Sequence, residues 1–123
     1  MGKRVLVIED EPGYQDLMRF VLGGYELSVY GSVEEAERDH PDGDFDLVIS
    51  DINLAGASGF DFLQRWIDKG RAEKIPFILW SSNNSDETRQ KAMEMGAAGF
   101  ITKPFKTEAV QKMVETLLST APS

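Results

Sequence analysis

Short apolar runs alternate with stretches of helical period along the whole chain. Val5-Leu6-Val7-Ile8 is continuously apolar, as a strand buried on both faces should be. Pro12 suits a helix first turn, and Tyr14, Leu17, Met18 and Val21 follow at helical spacing until Gly23-Gly24 stops them. Residues 25–30 alternate instead, with Leu27 and Val29 on one face, the pattern of an edge strand. Ser32 and Glu35 predict a capping box for a short second helix. Pro41-Asp42-Gly43-Asp44 reads as a turn, and the run from Phe45 to Ser50 beyond it ends at Asp51. Phe62, Leu63, Trp66 and Ile67 suit a third helix, and residues 75–81 a fourth strand, with Pro76 near its start. Ser85 caps a polar fourth helix carrying Ala92 and Met95. Phe100 and Ile101 form a very short fifth strand. Val110, Met113, Val114, Leu117 and Leu118 then give the clearest amphipathic helix.

Strand–helix alternation repeated five times predicts an α/β doubly wound parallel sheet. In such sheets ligands gather outside the carboxyl ends of the strands, at a topological switch point. Trp66 and Trp80 read as core, Gly96 and Gly99 as turn residues, and His40 as a solvated loop residue. The closing Thr120-Ala121-Pro122-Ser123 reads as a frayed end or the start of a linker.

Bulk properties narrow the picture. A chain of 123 residues predicts one domain over residues 1–123, with a core of about 3–118. At 41% hydrophobic and 28% charged residues the composition is ordinary. The formal charge of -8 argues against nucleic-acid binding, which needs clustered Lys and Arg. No cysteine is present, so disulfides and thiolate metal sites are excluded. No apolar run approaches the roughly 18 residues of a membrane span and no signal-peptide pattern precedes the first strand. A membrane partner is therefore not expected, and the expected location is cytoplasmic.

The candidate chemistry lies at strand ends. Asp51 closes a buried-looking apolar run, where a carboxylate is costly to desolvate unless a cation or donor attends it. Three other runs deliver attendants: Glu9-Asp10-Glu11 after the first, Ser81 after the fourth and Lys103 after the fifth. Carboxylates, a hydroxyl and an amine at four strand ends suit a divalent cation and a phosphoryl group. Glu11 is the acid of the three expected to stay solvated.

Glu9-Asp10, Asp51, Ser81 and Lys103-Pro104-Phe105, in that order and spacing, resemble the receiver domain of two-component response regulators, in the manner of chemotaxis regulators. The resemblance implies a flavodoxin-like sheet of five parallel strands in the order 2-1-3-4-5, flanked by five helices. It implies that Asp51 is the nucleophile that accepts a phosphoryl group from a histidine kinase or a histidine phosphotransfer protein. Mg2+, with Mn2+ as an alternative, would be held by Asp10, Asp51 and the main-chain carbonyl of Asn53, with Glu9 acting through water. Lys103 would pair first with a carboxylate and then with a phosphoryl oxygen, before a Lys-Pro bond that is commonly cis in the family. Ser81 would be the switch hydroxyl and Phe100 its paired aromatic, altering the surface of the fourth helix, fifth strand and last helix. Asn53 and Asn83 occupy positions that tune acyl-phosphate hydrolysis. Gly59 matches a family glycine expected to carry a positive backbone dihedral.

The chain departs from the family pattern at three places: Glu9 stands where Asp is commoner, Ala55 where many members have Pro, and Ser81 where Thr is more frequent. Ala55 predicts a looser loop after Asp51. None of the three removes a required chemical group. The implied function is a phospho-accepting regulator that promotes only its own phosphorylation and dephosphorylation, controlling an effector domain or target protein, with phosphorylation-dependent homodimerisation as a further outcome. The alternative is a receiver-like interaction module that works without phosphorylation. A haloacid-dehalogenase-type phosphatase wants Asp-x-Asp at its first strand, whereas Asp51-Ile52-Asn53 follows the third. A flavodoxin-like cofactor binder needs a phosphate-cradling loop after its first strand, and none follows here.

Overall fold

The computed structural model describes residues 2–83 and 85–120. Ten elements alternate along the chain: β1 (Arg4–Ile8), α1 (Pro12–Val21), β2 (Glu26–Tyr30), α2 (Val33–Asp39), β3 (Leu47–Asp51), α3 (Gly59–Asp68), β4 (Phe77–Ser81), α4 (Asp86–Glu94), β5 (Gly99–Thr102) and α5 (Thr107–Thr120). All four strand pairings are parallel, and the sheet order is β2-β1-β3-β4-β5. The chain reverses direction across the sheet between β1 and β3, so the switch point lies there. The predicted architecture is the observed one.

Period-two alternation divides the core between the two faces of the sheet. Leu6, Ile8, Val48, Phe77 and Leu79 point to one face, where α2, α3 and α4 supply Val33, Ala36, Phe62, Leu63, Trp66 and Ala92. Val5, Val7, Leu47, Ile49, Ile78 and Trp80 point to the other, against Met18 and Val21 of α1 and Val110 and Val114 of α5. The three central strands are buried almost throughout, which is why their sequences are unbroken apolar runs. Phe62, Trp66 and Phe77 meet edge-to-face, with centroids 5.4–6.1 Å apart. Such pairs add about 0.5–1.5 kcal/mol each to their area burial.

Local signals were partly read from the sequence. The Ser32 side chain accepts from the Glu35 amide at 3.2 Å, the first half of the expected box. The complete reciprocal box opens α3 instead: Ser58 Oγ accepts from the Asp61 amide and Asp61 accepts from the Ser58 amide. Asp at the third helical position replaces the Glu or Gln of the usual signature, so the sequence does not announce this box. His40 is packed rather than solvated. Its Nε2 lies 3.0 Å from the Tyr30 hydroxyl and its ring 4.8 Å from that of Phe45. Gly96, at φ +103, ends α4 as a turn residue should, but Gly99 lies in β5, where a Cβ would meet the Met113 sulfur at 2.8 Å. Among the described residues no helix is long and apolar enough to cross a membrane. Of the closing Thr120-Ala121-Pro122-Ser123, Thr120 ends α5, and the other three lie outside the described residues.

Candidate functional site

The carboxyl ends of β1, β3, β4 and β5 converge. Glu9 directly follows β1, and its amide continues the ladder by donating to the Tyr30 carbonyl at 2.9 Å. Asp51 is the last residue of β3, Ser81 the last of β4, and Lys103 the first after β5. The Lys103 amide donates to the Ser81 carbonyl at 2.9 Å, and the Lys103–Pro104 peptide is cis. Every one of these side chains is therefore placed by sheet register rather than by a loop of its own.

Lys103 is the hub. Its Nζ donates to Glu9 Oε1 at 2.5 Å and to Asp51 Oδ2 at 2.7 Å. All three side chains are buried, Glu9 completely. Asp51 Oδ1 accepts from the Asn53 amide at 3.0 Å, so both of its oxygens are engaged. Glu9 Oε2 accepts from the Glu11 amide at 3.0 Å. Burial raises the Glu9 pKa to about 7, although the Lys103 hydrogen bond opposes the rise. For Lys103 burial acts to lower the pKa, but the hydrogen bonds to Asp51 and Glu9 outweigh it and the net shift is upward. The ammonium therefore stays charged in a site where one carboxylate is reluctant to be.

Asp10 sits at the exposed mouth. One carboxylate oxygen from each of Glu9, Asp10 and Asp51 lies within 4.8 Å of the others. Three carboxylates facing one ammonium leave residual negative charge. Oxygen donors of this kind are the set a hard divalent cation takes. Glu11 is exposed, as expected.

Ser81 is fully buried; its Oγ accepts from the Asn83 amide at 3.0 Å and from Asn53 Nδ2 at 3.5 Å. Asn53 and Asn83 thus both touch the hydroxyl, while Asn83 Oδ1 caps onward to the Ser85 amide at 3.1 Å. Phe100 lies in the core cluster beneath α4, with the Arg89 guanidinium 5.3 Å above its ring and Arg89 Nη2 donating to Thr102 Oγ1. Phe100 also borders an open groove of about 190 Å³ between β5 and α5, with Phe105, Ala109 and Met113.

Two features of the loop after Asp51 differ from expectation. Gly59 does not have a positive φ; it is glycine because an added Cβ would stand 2.3 Å from the Asp51 carbonyl oxygen. The loop is also held from outside. The Glu34 carboxylate on α2 accepts from the Ala57 amide at 2.9 Å, beside Gly56, whose φ of +79 admits the turn. This clamp restrains the segment that Ala55 was expected to loosen. The role of Glu34 has no signature in the sequence, because no motif links α2 to the loop after Asp51.

A family described as the response regulator receiver domain matches residues 5–115. The chain belongs to this family. Among relatives, the receiver is 28% identical to the phosphate regulon transcriptional regulatory protein PhoB of Escherichia coli K12, over 96% of its own length and 52% of PhoB's. It is 30% identical to the response regulator protein FleR of Pseudomonas aeruginosa, over 93% of its length and 24% of FleR's. The receiver thus spans about half the length of the PhoB relatives it matches, and less of FleR. Among solved structures, the non-phosphorylated HemR receiver domain of Leptospira biflexa superposes with a TM-score of 0.87 at 28% identity, covering 98% of both chains. The chemotaxis response regulator CheY4 of Vibrio cholerae gives 0.85 at 25% identity, covering 95% of this chain and 99% of its own.

Proposed function

We propose that this receiver is an active phospho-acceptor in which Asp51 takes a phosphoryl group from a phosphohistidine donor. A histidine kinase or a histidine phosphotransfer protein would present that donor. A carboxylate oxygen of Asp51 attacks phosphorus, the phosphorus–nitrogen bond breaks, and the imidazole leaves as the neutral base after taking up a proton. The observation that carries the reading is the buried Lys103 ammonium within 2.7 Å of Asp51 Oδ2. A fixed cation beside the acceptor carboxylate is what a transferring phosphoryl group needs, since catalysis here is chiefly positioning and charge stabilisation.

Asp10, Asp51 and the main-chain carbonyl of Asn53 would hold Mg2+, with Glu9 acting through water; the convergence of the Glu9, Asp10 and Asp51 carboxylates supports the choice, and Mn2+ would take the same oxygen donors. When bound there, Mg2+ offsets the negative charge shared by protein and phosphoryl oxygens. Lys103 would exchange a carboxylate for a phosphoryl oxygen. Ser81, which now accepts from the Asn83 amide, would donate its hydroxyl proton to another. Phe100 would follow the hydroxyl, changing the α4-β5-α5 face that a target or effector domain reads. Asn53 and Asn83, both in contact with Ser81 Oγ, would set the rate at which water removes the phosphoryl group. The activity is confined to the receiver's own aspartate, and the function is regulatory, in the cytoplasm, with homodimerisation as one form of output.

The test is intact mass after incubation with acetyl phosphate, with Mg2+ or EDTA, comparing the wild type with Asp51→Asn. A single phosphoryl adduct requiring both Mg2+ and Asp51 is expected. A folded wild type that takes no adduct from acetyl phosphate or phosphohistidine donors would instead support an interaction module that works without phosphorylation.

A further inference from the structure

The Lys103 ammonium is held by more than its two carboxylates. Its Nζ lies 4.3 Å from the centroid of the Tyr14 ring and 4.5 Å from that of Trp80. Both distances are well inside the roughly 6 Å over which a cation is attracted to an aromatic face. The two rings stand at 81° to each other with centroids 5.5 Å apart, so they form a corner rather than a stack. Phe105 packs against the indole at 5.7 Å, tilted by 43°. Trp80 is fully buried on β4, and Tyr14 is half-buried on the first turn of α1.

We propose that Tyr14 and Trp80 are positioning residues for Lys103, holding its ammonium by their ring faces at the point from which it serves phosphoryl transfer. The inference rests on the reading that Asp51 is the phospho-acceptor. Its physical basis is a difference between the two kinds of partner. Glu9 and Asp51 each occupy one of the three ammonium donors. The rings attract the same charge without claiming a directed hydrogen bond. Nζ can therefore trade one carboxylate for a phosphoryl oxygen while the aromatic corner keeps it in place. Without the corner, the carboxylates alone decide where the ammonium rests. The attraction is also strengthened by burial, since little water competes at this depth.

Tyr14 is the better site for a test because it is only half-buried, so the fold survives its replacement more readily than that of Trp80. The variants are Tyr14→Phe, which keeps the ring, and Tyr14→Leu, which keeps apolar bulk and loses it. Each is made in the wild type and in Lys103→Met, and urea unfolding verifies the fold. The rate of Asp51 phosphorylation by acetyl phosphate at saturating Mg2+ should fall roughly tenfold in Tyr14→Leu, the loss of one desolvated cation–π contact, and recover in Tyr14→Phe. Tyr14→Leu should cause no further slowing in the Lys103→Met background. Ring-current shifts of the Lys103 ε-methylene resonances should be present in the wild type and Tyr14→Phe and reduced in Tyr14→Leu. A folded Tyr14→Leu that reacts at the wild-type rate overturns the proposal, as does equal slowing with and without Lys103. A wild type that takes no adduct overturns the phospho-acceptor reading itself, and the proposal with it, and is told apart because it precedes any variant.

Discussion

Replacing Gly59 by alanine tests whether the close approach of α3 to the end of β3 is a packing constraint. The new Cβ would lie 2.3 Å from the Asp51 carbonyl oxygen, 2.9 Å from its carbonyl carbon and 2.9 Å from Ile52 Cα. All three are backbone atoms, so no side chain can rotate away. Bringing the oxygen to ordinary contact demands a shift of about 1 Å, shared between the first turn of α3 and the end of β3. Overpacking of this kind costs about 1–3 kcal/mol, against which alanine's helix preference returns at most about 1 kcal/mol. A net loss of about 2 kcal/mol is expected in urea unfolding followed by tryptophan fluorescence. Gly13→Ala is the control, because a Cβ there meets nothing within 4 Å. That substitution should stabilise by about 0.5–1 kcal/mol. Phosphorylation should suffer more than stability in Gly59→Ala, since a displacement of about 1 Å at a reacting group can cost about a hundredfold. A Gly59→Ala protein within about 0.5 kcal/mol of wild type that also phosphorylates normally would refute the argument.

Lys103→Met should destabilise by about 3 kcal/mol by leaving Glu9 buried without its cation. Because the folded pKa of Glu9 is raised, to about 7, its protonated form is the one the fold favours. Stability linked to it is therefore complete below the unfolded carboxylate range and lost as pH rises through the folded value. Urea midpoints should accordingly show a larger deficit for the variant at about pH 8 than at about pH 5, and a pH-independent deficit would contradict this account. The Glu34 clamp behaves oppositely. Its pKa is lowered, first by the Ala57 amide, so its hold on the loop is present above the unfolded carboxylate range and fades as pH falls through the folded value. Hydrogen-exchange protection of the Ala57 amide should drop in Glu34→Ala and in acid. Unchanged protection in Glu34→Ala would show that the loop is held by something else.

The strands and the positions of Glu9, Asp51, Ser81 and Lys103 were legible because they depend on local period and on where apolar runs stop. What the sequence concealed depends on elements meeting across the fold. Trp80 reads as core, correctly, and Tyr14 only as one position of a helical period, yet only the approach of α1 to the end of β4 turns their faces toward an ammonium. Glu9 read as an acid near a metal, while its hydrogen bond to Lys103 Nζ spans 94 residues of chain. Gly59 was assigned a backbone dihedral it does not have, because the alternative cause, a crowded neighbour, has no signature in one dimension. His40 looked solvated among charges, and its packing on Phe45 follows from the turn that brings residues 40–45 back over β2.

The spacing of the hub along the chain has a consequence in time. Lys103 meets partners 52 and 94 residues earlier, and every strand pairing is a crossover with no hairpin among them. No early fragment of the polypeptide can hold the three charges together. An emerging or partly unfolded chain, even one with β1 and β3 already paired, presents two carboxylates that repel each other and no ammonium to reconcile them. If Asp51 is the phospho-acceptor, the assembled three-charge site therefore waits on the docking of the last strand, and a half-made receiver would lack the cation that the reaction needs.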